Sequence, residues 1–110
     1  EFRVSRLAPL RLLSSEKLTV STSAKAITAA TYADNSVKAY FEHISGGKVW
    51  HTDNRINSSI SNAGANGEIS ENIGAKWSIS GKENIEHWRS IRDTGASSDG
   101  VVNVNVYGSD

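Results

Sequence analysis

Three histidines, His43, His51 and His87, are the residues of this chain best suited to metal binding or proton transfer. A neutral imidazole is a common metal ligand, and the ring exchanges a proton near neutral pH. The spacing of the three matches no metal-binding motif, and the 110-residue chain has no cysteine to complete a zinc or iron–sulfur site. We therefore expect ordinary histidines in strands, no metal site and no cofactor.

The histidine, serine and acidic residues of the chain give little support for a hydrolytic site. His51 lies two residues before Asp53, but the G-x-S-x-G nucleophile elbow is absent and no thiolate is available. Two pairs of acids have the spacing of neighbours on one segment, namely Glu68 with Glu71 and Glu83 with Glu86. We expect both pairs in hydrophilic turns, where a glycosidase acid would lack the burial it needs. We expect the protein not to be an enzyme.

Trp50, Trp77 and Trp88 could stack on sugar rings, as in a carbohydrate-binding module. Trp77 and Trp88 each precede an isoleucine in a strand-like run, which favours a structural role in the core. Carbohydrate binding through exposed tryptophans therefore stays open as a less favoured alternative.

The net charge and the hydropathy of the chain indicate which classes of partner it can bind. Lysine plus arginine equal aspartate plus glutamate at 12 each, so no strongly basic surface indicates a nucleic-acid partner. No apolar run approaches the roughly 20 residues that cross a bilayer. We expect neither a nucleic-acid nor a membrane partner.

Residues 1–17, EFRVSRLAPLRLLSSEK, differ from the rest of the chain because arginines alternate with apolar side chains around the only proline, Pro9. Pro9 disfavours one continuous helix, which predicts an extended N-terminal arm. Leucine side chains gain nothing from contact with phosphates, so the pattern favours an apolar tether that binds another protein. The alternative is an arm that packs on its own domain. The candidate partner-binding residues are Phe2, Arg3, Val4, Arg6, Leu7, Leu10, Arg11, Leu12 and Leu13.

Residues 18–110 alternate between β-branched or aromatic runs and clusters of Gly, Ser, Asn and Asp, a pattern typical of short strands joined by turns. The predicted strands cover residues 18–21, 26–32, 37–44, 48–52, 68–71, 75–80, 87–92 and 101–107, and residues 56–67 are predicted to form a long loop. We expect a single all-β domain, an antiparallel sandwich of about eight strands that is jelly-roll-like.

Alternation within the strands predicts which side chains face the core. Val102, Val104 and Val106 should point inward from a central strand, with the intervening asparagines outward. In the strand at 37–44, the face that begins at Val37 and ends at His43 should be buried; the members of that face are Val37, Ala39, Phe41 and His43. Gly46-Gly47 predicts a hairpin turn that pairs this strand with the next and lets His43 and His51 approach one another.

Three segments of the chain carry a recognisable pattern, namely Thr22–Tyr32 (TSAKAITAATY), Trp88–Ala96 (WRSIRDTGA) and Val102–Val106 (VNVNV). In this order they resemble a group of small phage virion proteins, over about residues 18–107. In that group a TxSAxALTAATY-like opening leads to a central hairpin, and an aromatic-Arg-x-Ile-Arg segment precedes a Gly- or Ser-rich turn and a final Val-alternating strand. The chain departs from the pattern between His51 and Asn66, where the group carries a more apolar, proline-containing segment.

The resemblance implies a non-enzymatic virion component. The small size, neutral charge and apolar arm suit a capsid decoration, or cement, protein on the outer surface of the phage head. Such a protein would be made in the bacterial cytoplasm, would bind the major capsid protein or other virion subunits, and would form homo-oligomers on the particle. A neck, collar or tail subunit is the alternative position.

Overall fold

The computed structural model describes residues 10–28, 35–53, 60–66 and 68–109. Within these residues the strands are β1 (Arg11–Val20), β2 (Lys25–Ala26), β3 (Ser36–Ser45), β4 (Val49–Thr52), β5 (Ile69–Glu71), β6 (Lys76–Ser80), β7 (Arg89–Arg92) and β8 (Gly100–Gly108). The described residues include one helix, α1 (Lys82–His87). Strands dominate, so the prediction of an all-β domain is confirmed.

The strands of the described residues form two four-stranded sheets. The first sheet has the order β1-β8-β3-β6, and the second sheet has the order β2-β7-β4-β5. Every pairing is antiparallel. Apolar side chains from both sheets meet in one buried cluster, so the architecture is sandwich-like, as predicted.

The central strand β8 shows most clearly how alternation builds the core. Val102, Val104 and Val106 are completely buried, while Asn103 and Asn105 are half-buried on the opposite face. Each buried valine contributes on the order of 1.5–3 kcal/mol of hydrophobic stabilisation. The predicted inward face of this strand, and its position between two other strands, are confirmed.

Strand β1 begins at Arg11, not at Leu18 where the sequence pattern predicts it. Residues 11–17, which the sequence assigned to the arm, pair with β8, so the strand crosses the expected boundary after Lys17. Only the C-terminal end of β1 carries the periodic apolar signal, because Leu18 and Val20 are buried there whereas the start of the strand is more exposed.

Most other strands lie close to their predicted positions. Those predicted at 37–44, 48–52, 68–71, 75–80 and 101–107 are each observed within one residue of the expected ends. The strand predicted at 26–32 is observed only as Lys25–Ala26, and residues 29–34 lie outside the described residues. Residues 60–66 of the predicted loop contain no strand.

The prediction that Val37 faces the core is wrong. The pairing of β3 with β8 shifts register between Ser36 and Lys38, which places Ser36 in the interior and Val37 at the surface. An irregularity of this kind inserts one residue and reverses the alternation on one side of it. Beyond it, the predicted inward face, including His43, is buried.

The predicted hairpin at Gly46-Gly47 is also wrong. Strand β3 belongs to the first sheet and β4 to the second, so the two glycines lead the chain from one sheet to the other. Gly46 has a φ of +87°, and a Cβ atom placed on it would lie 1.9 Å from the carbonyl oxygen of Asp99. The glycine is therefore required by a close approach of the backbone at residue 99, because any side chain would collide with it.

Helix α1 ends at His87, the first residue of the strand predicted at 87–92. It covers six residues after Gly81, which has a φ of +97°, and its Ile85 is completely buried. A helix this short depends on tertiary packing, because its few backbone hydrogen bonds do not offset the cost of nucleation. The strand then begins at Arg89, after the fully buried Trp88.

Candidate functional site

The described part of the predicted arm lies at the start of β1. Phe2, Arg3, Val4, Arg6 and Leu7 lie outside the described residues. The remaining candidates are described and are Leu10, Arg11, Leu12 and Leu13.

Two of those leucines are surface residues. Leu10 is 42% exposed and Leu12 is 52% exposed. Leu12 pairs with Tyr107 of β8, and Leu10 lines a surface cavity of about 510 Å³ together with Tyr107 and Tyr40. We call Leu10, Leu12 and Tyr107 the arm-root patch. Large apolar side chains grouped on a surface favour a protein-binding role over simple solvation.

A second set of side chains forms a grid on the outer face of the first sheet. The register of β8, β3 and β6 places Asn105, Tyr40 and Ser78 side by side on one rung. On the next rung of the same face, Asn103, Glu42 and Lys76 are aligned in the same way. We call these six residues the outer-sheet groove; they line a cavity of about 360 Å³.

The aromatic side of the groove is held by a tyrosine pair. The rings of Tyr40 and Tyr107 meet edge to face, with centroids 5.4 Å apart and 86° between the planes. The ammonium of Lys38 lies 5.1 Å from the centroid of the Tyr40 ring. Tyr40 is nevertheless 44% exposed, so its ring is available to a ligand.

The polar side chains of the groove have spare hydrogen-bonding capacity. Asn105 Oδ1 accepts a hydrogen bond of 2.7 Å from the Ser15 hydroxyl, which leaves the Asn105 amide N–H groups without a partner among the described residues. Within the described part of the chain, the side chains of Asn103 and Glu42 make no hydrogen bond or ion pair, although both are half-buried. Half-buried groups of this kind gain most from a ligand that bonds to them.

His51 has the most elaborate surroundings of the three histidines. It is almost completely buried, with Nδ1 2.7 Å from Asp53 Oδ1 and Nε2 3.2 Å from Glu71 Oε2. A carboxylate only accepts hydrogen bonds, so the ring donates to both acids only when both nitrogens carry a proton. The His51–Asp53 pair that the sequence suggested does form, but Nε2 faces a carboxylate and not a serine hydroxyl, so no Ser-His-Asp geometry results.

The other two histidines occupy unrelated places. His43 is fully buried in the first sheet, and neither ring nitrogen has a hydrogen-bond partner among the described residues. His87 ends helix α1, where its Nδ1 lies 2.8 Å from the carbonyl oxygen of Glu83. Across the described residues no three His, Asp or Glu side chains are grouped so as to hold a metal ion.

The tryptophans do not form an exposed platform. Trp88 is fully buried, and Trp77 packs against the core, with its ring stacked on Phe41 at 5.3 Å and on His51 at 4.4 Å. Trp50 is half-buried on the second sheet, where Gly64 of the 60–66 loop lies against its ring. Trp77 and Trp88 therefore contribute to the core, as their positions before isoleucines predict.

One carboxylate, that of Asp93, holds Trp50 itself, and a second, that of Glu68, holds the loop that covers it. Trp50 Nε1 donates a 2.7 Å hydrogen bond to Asp93 Oδ1; this bond, with a second from the Gly95 N–H and the nearby Lys48, lowers the pKa of Asp93 although desolvation raises it. Glu68 accepts hydrogen bonds from the backbone N–H groups of Ser61 and Asn66. Desolvation raises the pKa of Glu68, but the backbone N–H groups of residues 61, 66 and 68 together lower it below the ordinary value of 4.5.

Sequence reasoning missed the outer-sheet groove as a site. The alternation in β3 and β8 does place Tyr40, Glu42, Asn103 and Asn105 on one face of each strand. The alternation does not predict which strands are neighbours in the sheet. Strands β8, β3 and β6 are far apart in sequence, and only the sheet order brings them together.

Comparison with known proteins gives no relative: no family model, no curated protein and no solved structure matches this chain. Among the described residues, no helix has the length and apolar character needed to span a membrane.

Proposed function

We propose that this chain is a non-enzymatic structural protein of a phage virion, which decorates the capsid and cements neighbouring subunits. The observation that carries the proposal is the arm-root patch. It places exposed Leu10 and Leu12 where the Arg- and Leu-rich N-terminal segment joins the sandwich. A tether that leaves a rigid sheet through an apolar patch joins two neighbouring subunits without using the core of its own domain.

We also propose that the sandwich is a jelly roll, the architecture of many viral capsid domains. Support comes from nested pairing, since β1 pairs with β8, β2 with β7, β3 with β6 and β4 with β5. The chain thus follows the path of one long hairpin rolled into two sheets. The sequence resemblance to small phage virion proteins gives independent support for the same class.

Several copies on one particle would follow from this role, because a capsid repeats the same binding site many times. The partner would be the major capsid protein. A neck, collar or tail subunit is the alternative, and it requires the same patch to bind a different virion protein.

The test is co-sedimentation with capsids stripped of this protein from the phage that encodes it. The full chain is compared with the Leu10→Asp/Leu12→Asp double variant and with Ile73→Asp. Ile73 is a matched control because it is 62% exposed and lies outside the arm-root patch. We expect wild type and Ile73→Asp to pellet with capsids, and the double variant to stay in the supernatant.

Two outcomes would contradict the proposal. One is wild-type protein that does not pellet with heads; the other is equal pelleting of the wild type and the double variant. Immunoelectron microscopy of intact virions separates the alternatives, because label confined to the neck or tail would reject the decoration role.

A further inference from the structure

The outer-sheet groove has the side chains of a ligand site. Its cavity of about 360 Å³ adjoins the cavity of the arm-root patch, and the two share Tyr40 and Asn105. The groove is a shallow surface built on regular strands of one sheet, so its side chains are held at fixed spacing by the strand register.

The hydrogen-bonding groups of the groove match a ligand rich in hydroxyl groups. Asn103 and Asn105 offer amide N–H donors, and Glu42 offers a carboxylate that only accepts. A hydroxyl both donates and accepts, so neighbouring hydroxyls satisfy an amide and a carboxylate at once. Asn103 and Glu42 are directly paired across β8 and β3, which puts a donor and an acceptor side by side.

Tyr40 supplies an apolar surface beside these polar groups. A tyrosine ring offers a large rigid contact at low conformational-entropy cost, and the edge-to-face contact with Tyr107 restricts it further. The combination of an aromatic face with adjacent amides and a carboxylate fits a pyranose ring, which has an apolar C–H face and polar hydroxyl edges.

The charged side chains around the groove bear on whether it would bind a neutral or an anionic sugar. In the strand register Lys17 lies opposite Asn103 and Lys76 lies opposite Glu42, and the Lys38 ammonium lies over the Tyr40 ring. The strands of the groove and its neighbour thus carry three lysines close in register to one glutamate. No ion pair joins Glu42 to any lysine within the described residues. Unpaired ammonium groups at a rim attract an anionic ligand and give its binding a salt dependence.

We propose that the outer-sheet groove binds an acidic oligosaccharide, a chain of pyranose rings that carries carboxylates. Tyr40 stacks on a ring, Asn103, Asn105 and Glu42 bond its hydroxyls, and Lys76 pairs with its carboxylate. An acidic peptide is the less suitable occupant, because a peptide adds to a sheet at its edge through backbone hydrogen bonds, whereas this groove lies on the sheet face. The inference goes beyond the proposed virion role and does not depend on it.

The experiment is isothermal titration calorimetry of the full chain with a short oligogalacturonate, a neutral malto-oligosaccharide of similar length and a polyglutamate peptide. We expect the oligogalacturonate to bind at least about tenfold more tightly than either of the other two ligands. Tyr40→Ala should weaken its binding by about tenfold or more, which corresponds to loss of a ring contact of about 1.4 kcal/mol.

Lys76→Gln should weaken binding several-fold, and the loss should shrink at high salt. The matched control is Lys82→Gln on helix α1, which does not line the groove and whose ammonium lies 3.7 Å from Glu86. This variant should bind like the wild type. Melting temperatures of all variants, measured alongside, separate loss of the site from loss of the fold.

Three results would overturn the inference: no binding of the oligogalacturonate, equal binding of the neutral sugar, or polyglutamate binding of equal strength. Failure of the virion proposal would be seen separately, because Lys76→Gln, which lies outside the arm-root patch and its cavity, should still pellet with capsids while the Leu10→Asp/Leu12→Asp variant should not.

Discussion

The imidazole ring of His51 lies parallel to the indole ring of Trp77, with centroids 4.4 Å apart and 7° between the planes. His51 is on β4 in the second sheet and Trp77 is on β6 in the first, so the stack joins the two sheets. Asp53 and Glu71 face the two nitrogens of the same ring. A protonated imidazole would therefore bond both acids and place a cation against an aromatic face.

Replacing His51 by leucine should lower the free energy of unfolding by about 2–4 kcal/mol, because the buried ring loses its stack on Trp77 and its contacts with Asp53 and Glu71. Thermal and urea unfolding provide the measurement. Combining His51→Leu with Asp53→Asn should cost less than the sum of the single changes, since one of the two carboxylates that lose the ring is also removed. His87→Gln is the control and should change stability by less than about 0.5 kcal/mol; a His51→Leu protein as stable as this control would show that the cluster is not stabilising.

The lowered pKa of Glu68 makes the stability of the 60–66 loop depend on pH. The folded-state pKa lies below the ordinary value of 4.5, so the stabilisation is fully present above about pH 4.5 and is lost as the pH falls through the folded-state pKa. Glu68→Gln should thus lower the melting temperature at pH 7, and by less at pH 3. A gap between the two melting curves that is the same at both pH values would contradict the assignment.

A comparison of Gly46 with Gly74 separates the cost of backbone strain from the cost of a steric clash between a new Cβ atom and its neighbours. Both have positive φ, +87° and +93°, but a Cβ on Gly46 would meet Asp99 whereas a Cβ on Gly74 would meet nothing within 4 Å. Gly74→Ala should cost about 1–2 kcal/mol, from the left-handed conformation alone. Gly46→Ala should cost more, about 3 kcal/mol or above, because the backbone must also move. Equal losses in denaturant unfolding would mean that the connection between the sheets is not tightly packed.

Val104 tests the core on β8. Val104→Asp should place an unpaired charge among fully buried side chains and destabilise the protein by several kcal/mol, enough to unfold a domain of this size. Asn105→Asp should cost less than about 1 kcal/mol, because a carboxylate oxygen still accepts the Ser15 hydrogen bond. Circular dichroism melting curves compare the two; a folded Val104→Asp protein with an unchanged melting temperature would contradict the inward direction of this strand.

Local alternation was sufficient to predict most strands, because each strand that packs one face on the core repeats with period two. It was sufficient for Val102, Val104 and Val106, and it failed at Val37, where a single register shift reverses the faces. The prediction of a hairpin at Gly46-Gly47 failed for another reason. A hairpin turn and a corner between two sheets have the same local residue types, and only the distant Asp99 backbone distinguishes them.

The clusters around His51 and in the outer-sheet groove could not be predicted, because their members come from separate strands. His51 was noticed beside Asp53, but Glu71 reaches it only through the pairing of β4 with β5. The arm was noticed through its arginines and leucines. The N-terminal half of β1, which follows the arm, could not be predicted, since exposed residues at the start of β1 give no core-facing pattern.

The nested pairing of strands also sets an order in time for a chain that emerges from the ribosome. Strand β8 lies between β1 and β3, so neither of those long strands has its central neighbour until residues 100–108 have been synthesised. Strands β4 and β5 are the first pair whose partners are both present, and the outermost pair, Arg11 with Gly108, closes last. During synthesis β1 therefore lacks its β8 partner, and Glu16 and Lys17 within it are charged residues of the kind that disfavour association of exposed strands.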